Sequence, residues 1–192
     1  RYRSSAASDV YKRQIHGNEG DTILTAHDAD LLQLFDTSLS SDLPTVAAVA
    51  VSDTTALALW GVDIAAQPAP GLLLSGVDHT LIGESLFLRN AGGIIGAASG
   101  ALRIFESAFE GNEAAYPGGA IASDFSEVTL SATTFHRNRA PYGDAIALSA
   151  GSLSGQDVDF RRQPEDDLFL LATGTDHRLP ADFSCTPLTC TE

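Results

Sequence analysis

From residue 57 onward, short segments alternate apolar and polar positions, and each ends just before a large apolar residue. The segments are Leu57-Ala58-Leu59, Thr80-Leu81-Ile82, Leu102-Arg103-Ile104, Val128-Thr129-Leu130 and Leu153-Ser154-Gly155. The large residues that follow are Ile64, Phe87, Phe109, Phe135 and Phe160, and each has an amide three positions later: Gln67, Asn90, Asn112, Asn138 and Gln163. The first four amides precede glycine-bearing apolar segments containing Gly71, Gly92-Gly93, Gly118-Gly119 and Gly143. Period-two alternation, glycine punctuation and the absence of a long helical stripe predict strand, turn, strand.

The separation from Phe87 to Phe109 is 22 residues and from Phe109 to Phe135 is 26, with the same spacings between Asn90, Asn112 and Asn138. A unit of that length holding two or three short strands matches one coil of a solenoid. The predicted fold is all-β: a single-stranded parallel β-helix of about five coils over residues 57–163, with right-handed winding expected. Coils stacked at about 4.8 Å put like residues above one another, so Phe87, Phe109, Phe135 and Phe160 should form a buried stack. Asn90, Asn112 and Asn138 should form an amide ladder at a corner. Gly93, Gly118, Gly119 and Gly143 should permit the bend that follows. An ordinary β-sandwich is the competing architecture, but it has no need for these columns.

Outside this region the pattern is harder to read. Residues 15–56 are expected to be irregular coils or a cap, with Ile15-His16-Gly17-Asn18 as an early corner and Thr45 to Val51 as a strand. Asp28 to Phe35 reads as either a buried strand or a short capping helix. Residues 164–192 break the repeat at Pro164, then offer one terminal strand near Leu168 and a tail carrying Cys185 and Cys190. Arg1 to Gln14 resembles the peptide translated from sequencing-adapter DNA at the edge of an assembled metagenomic contig. With no methionine in the chain, the expectation is a gene fragment lacking its natural start, so any secretion signal would lie upstream.

Phe109 to Ala122, FEGNEAAYPGGAIA, and Phe135 to Ala147, FHRNRAPYGDAIA, resemble the FxxN and GGAI repeats of the chlamydial polymorphic membrane proteins. The same repeats occur in bacterial right-handed parallel β-helix surface proteins. The second copy has Asp144 in place of the second glycine, and in the copy at 87–95 only Ala91 separates Asn90 from Gly92. The likeness covers about 80–146 firmly and thins out on both sides. It implies an exported passenger or surface protein, adhesive in several members, located on the bacterial outer surface or outside the cell. It implies no catalytic residues.

Composition narrows the partners. The 192-residue chain is long enough to bury a core, and 44% hydrophobic residues rule out disorder throughout. With 25 acidic against 11 basic residues the net charge is −14, which disfavours nucleic acid and anionic membranes. No run of about 18 apolar residues occurs, so no membrane-spanning helix is expected. Two cysteines exclude a disulfide scaffold and a four-cysteine zinc site.

Two charged columns accompany the repeat. Glu84, Glu106 and Asp157 lie three residues before the column phenylalanines, with Ala132 interrupting; stacked carboxylates would attract calcium or a cationic partner, or simply solvate the face. Arg89, Arg137 and Arg162 lie two residues after the phenylalanines, with Gly111 interrupting. Such a stripe could clamp the carboxylates of an acidic polysaccharide, or pair with acids such as Glu113 or Asp159. A lyase on this fold would need calcium-binding acids and a base, a part that only Arg137 or Arg139 could nominally fill. A glycoside hydrolase would need clustered carboxylates, for which Asp157 with Asp159 and Asp124 with Glu127 come nearest.

His16, His27, His79, His136 and His177 show no ligand spacing, so no histidine metal site and no cofactor is expected, with calcium on the acidic column the one ion left open. Cys185 and Cys190 are close enough for a small disulfide loop. The reading is a non-enzymatic exported or cell-surface scaffold that binds a host or environmental glycan or protein. A carbohydrate-active β-helix enzyme, lyase or hydrolase, is the alternative, and an assembly module polymerising through its strand edges ranks third.

Overall fold

The computed structural model describes residues 22–40, 46–124, 127–149 and 151–162, together with the backbone of strands Ser8–Tyr11, Gln14–His16, Leu168–Leu170 and Ser184–Cys185. It is an all-β solenoid in which the paired strands all run parallel, and no helix occurs among the described residues. Each coil contributes three short strands to three faces. The first face contains Thr22–His27, Ile94–Ala97, Ile121–Ser123 and Ile146–Leu148; the second contains Leu31–Phe35, Ala101–Phe105, Glu127–Ser131 and Ser152–Gln156. Ala47–Trp60 and Leu72–Gly83 are long enough to run through the corner and serve both faces. The third face stacks Ser38–Ser40, Asp63–Ala65, Leu86–Leu88, Ala108–Glu110, Thr134–His136 and Asp159–Arg161.

Alternation along each strand explains the core. On the second face Leu57, Thr80, Leu102, Val128 and Leu153 occupy one inward column, and Leu59, Ile82, Ile104 and Leu130 another. On the third face each strand has one inward residue. These are Leu39, Ile64, Phe87, Phe109, Phe135 and Phe160, all at most 1% exposed. The four phenylalanine rings stack with centroids 4.8, 5.2 and 5.0 Å apart and planes within 14° of parallel. Full burial of each ring contributes about 1.5–3 kcal/mol, and each stacked pair adds about 0.5–1.5 kcal/mol.

The amide ladder forms as the spacing predicts. Asn90 and Asn112 each donate a backbone N–H and a side-chain N–H to the Oδ1 of the next coil's asparagine, at 2.9–3.1 Å. The Gln67 backbone joins by donating to Asn90 Oδ1 at 3.1 Å. The same side chains reach across to strand carbonyls, with Asn112 Nδ2 donating to Phe87 and Asn138 Nδ2 to Phe109, both at 2.9 Å. Buried backbone groups at a bend, where strand pairing fails, are thereby satisfied.

The regular stack extends further toward the N-terminus than the sequence pattern suggests. Asp28 to Phe35 contains a strand, Leu31–Phe35, and no helix. Thr22–His27 and Leu31–Phe35 both pair with Ala47–Trp60, which itself runs through residue 57. Backbone pairing continues from Leu39 to Ile15, and Ser8–Tyr11 pairs with Leu32 to Phe35. At the other end a terminal strand is present at Leu168–Leu170.

The glycine segments are in register from coil to coil except at one junction, between 92–97 and 118–123, where they are offset by one residue. Ile94 pairs with Ile121, so Gly93 sits opposite Ala120. A Cβ on Gly93 would stand 2.2 Å from the Ala120 carbonyl oxygen, and only glycine permits that approach. Asp144, which replaces a motif glycine, is buried and accepts from the Ala140 N–H at 2.9 Å, holding the 140–144 turn closed.

Candidate functional site

Both charged columns turn out to be columns of backbone geometry. At the corner between the second and third faces, Asp36, Gly61, Glu84, Glu106, Ala132 and Asp157 all have φ between 45° and 63°. At the corner after the third face, Ala66, Arg89, Gly111, Arg137 and Arg162 have φ between 54° and 62°. A left-handed residue turns the chain while the residue after it points inward. The interruptions at Ala132 and Gly111 therefore keep the conformation and lose only the charge. Gly111 also leaves room for Arg89, whose Cγ lies 3.5 Å from where a Cβ would stand.

The two columns border the same face. Glu84, Glu106 and Asp157 lie exposed along one edge of the third face, and Arg89, Arg137 and Arg162 along the other. None of these six makes an ion pair among the described residues. Asp159 pairs instead with Arg161, two positions along its own strand, and this hydrogen bond and charge hold the Arg161 guanidinium more firmly protonated than usual. Glu113 meets Arg139 through a backbone bridge.

Between the charged edges the outward side chains make a shallow polar pocket of about 330 Å³, lined by Ala108, Glu110, Thr134, His136, Arg161 and Arg162. Glu110 Oε1 lies 3.5 Å from His136 Nδ1. Carboxylate, imidazole and guanidinium groups meet there in three successive coils. A larger groove of about 510 Å³ lies on the first face, where Tyr116 and Pro117 stand over Ile95, Ala122 and Ala147. Its walls are chiefly apolar; the Tyr116 hydroxyl donates to the Ala91 carbonyl at 3.2 Å, and burial pushes its pKa up to about 12.

The hydrolase candidates face solvent or engage partners of other kinds. Asp157 is an exposed corner residue and Asp159 is neutralised by Arg161, while Asp124 accepts from the Ala98 N–H at 2.7 Å and Glu127 from Thr129 at 3.4 Å. Arg137 and Arg139 are both exposed to solvent. The Cys185 and Cys190 pairing lies outside the described residues, as do Gln163, Asn18 and the side chains of Arg1 to Gln14. The backbone of Cys185 pairs with Phe160, which places that cysteine at the next position of the phenylalanine column.

Two features were not read from the sequence. Thr37, Ser85, Ser107 and Thr133 form a second buried ladder, each hydroxyl donating to the carbonyl two residues earlier at 2.7–2.9 Å. Each follows a left-handed corner residue, as the asparagines do; Val62 and Val158 in the same column blur the signal. The second is a cluster of His27, Asp28 and Asp53, visible only once the register pairs His27 with Ser52.

No family model matches the chain, and no curated protein and no solved structure matches it.

Proposed function

We propose that the protein is a non-enzymatic exported or cell-surface β-helix scaffold, of the polymorphic-membrane-protein-like kind, that binds its partner through the third face. The observation that carries this reading is the placement, along opposite edges of that face, of acids and arginines that make no ion pair among the described residues. A rigid stack repeats these charges at about the 4.8 Å strand spacing, which suits an extended partner with regularly placed groups better than a small molecule. Arginine offers planar two-point hydrogen bonds to carboxylates and sulfates, so an acidic glycan or an acidic protein segment laid along the arginine edge fits the chemistry.

The test is a glycan and extracellular-protein array probed at low and moderate salt with the wild type and with an Arg137→Ala/Arg162→Ala double variant. Retention of an acidic glycan or acidic protein that the double variant loses, weakened by salt, supports the reading. Release of reducing ends or unsaturated uronates from any polysaccharide by the wild type would overturn it in favour of a carbohydrate-active enzyme.

A further inference from the structure

We infer that His27, Asp28 and Asp53 form a binding site for a divalent transition cation of the zinc class, at the corner where the first face meets the second. Asp28 and Asp53 are left-handed corner residues of adjacent coils, with φ of 54° and 47°, and His27 is the last residue of its strand. Ligand atoms of all three lie within 4.8 Å of one another, and all three side chains are exposed to solvent, so an ion can enter.

The imidazole faces two different environments. Nε2 lies 3.1 Å from Asp28 Oδ2, while Nδ1 lies 3.3 Å from Asp53 Oδ2 and 2.9 Å from Ser52 Oγ. With Nε2–H donating to Asp28, Nδ1 carries a lone pair and confronts a carboxylate oxygen. The Ser52 hydroxyl can donate to that lone pair but leaves Asp53 Oδ2 unbridged to the ring, a place that a cation would fill. Zinc bonds of about 2.1 Å to nitrogen and to oxygen would span the 3.3 Å gap at an angle of about 104°, near tetrahedral. Asp28 then does what a carboxylate behind a metal-bound histidine commonly does: it fixes the ring and raises its basicity. One imidazole with carboxylate and hydroxyl oxygens suits zinc better than calcium, which takes six or more oxygens. Because His27 and Asp53 come from adjacent coils, the ion would tie the coil at 22–40 to the one at 47–65.

The experiment uses the full chain without a purification tag, titrated calorimetrically with zinc chloride and melted with and without zinc. The wild type should bind one more equivalent than His27→Ala and should melt higher with zinc present. Asp53→Asn should lose that equivalent, since asparagine keeps the left-handed corner and removes the charged ligand. Asp28→Asn should weaken it about ten- to hundredfold, and Asp63→Asn should leave it unchanged. All these side chains are exposed, so circular dichroism should show every variant folded. Equal zinc uptake by the wild type and His27→Ala, or a melting temperature that zinc raises equally in both, would overturn the assignment.

Discussion

Asn138 Oδ1 accepts two hydrogen bonds from Asn112, one from the backbone N–H at 3.1 Å and one from the side-chain amide at 2.9 Å. Asn112 itself accepts the same pair from Asn90. Removing the Asn112 side chain therefore leaves both Asn90 donors without their acceptor and takes from Asn138 Oδ1 one of its two donors, all of them buried. Asn112→Ala should cost about 2–4 kcal/mol, from more than one unsatisfied group at about 1–3 kcal/mol each. Phe109→Ala, at the centre of the ring stack, should cost about 3–5 kcal/mol. Glu106→Ala, exposed at its corner, should stay within about 0.5 kcal/mol. Urea unfolding of the three variants checks the order, and equal tolerance at all three would refute the ladder account.

Thr80 sits between Leu57 and Leu102 in an inward column, and its buried hydroxyl has no partner among the described residues. Thr80→Val keeps the shape and removes the unpaired group. It should stabilise the protein by about 1 kcal/mol, seen as a higher urea midpoint at unchanged slope.

Ala132 holds φ of 47° with no polar side chain to compensate. Ala132→Gly relieves a strain of about 1–2 kcal/mol and costs some unfolded-state entropy. The expected net gain is about 0.5–1 kcal/mol, and thermal melts should show a rise. A lower melting temperature would mean that the corner carries no such strain.

Tyr116 has its pKa raised from 10.0 to about 12 by burial. The folded state thus holds this proton more tightly than the unfolded one. The associated stability is complete below pH 10 and is lost as pH rises through about 12. Ultraviolet titration of phenolate should show one late-ionising tyrosine, absent in Tyr116→Phe. If that variant keeps the late step, the assignment to Tyr116 fails.

The parts of the fold legible in the sequence were those where one residue type repeats in one structural role. Phe109 with Asn112 and Phe135 with Asn138 announce themselves because ring stacking and amide pairing both reward identical neighbours. The coil at 22–40 was obscured because Leu39 fills the phenylalanine column with an aliphatic residue that carries no signature of its own. The charged columns were visible, but their cause was not: Glu106, Ala132 and Asp157 share a backbone conformation and no side-chain chemistry. His27 and Asp53 escaped notice since a separation of 26 residues means nothing until the strand register is known.

The asparagine column also has a direction. Along the ladder each amide turns its oxygen toward the coil before it and one side-chain N–H toward the coil after it, while the second N–H reaches back to a strand carbonyl. The bond dipoles consequently add head to tail, as peptide dipoles do along a helix. Hydrogen-bonded chains of this kind polarise one another and strengthen as they lengthen. The solenoid is therefore an electrically polar rod with distinguishable ends, and another molecule extending the column could continue it in only one orientation.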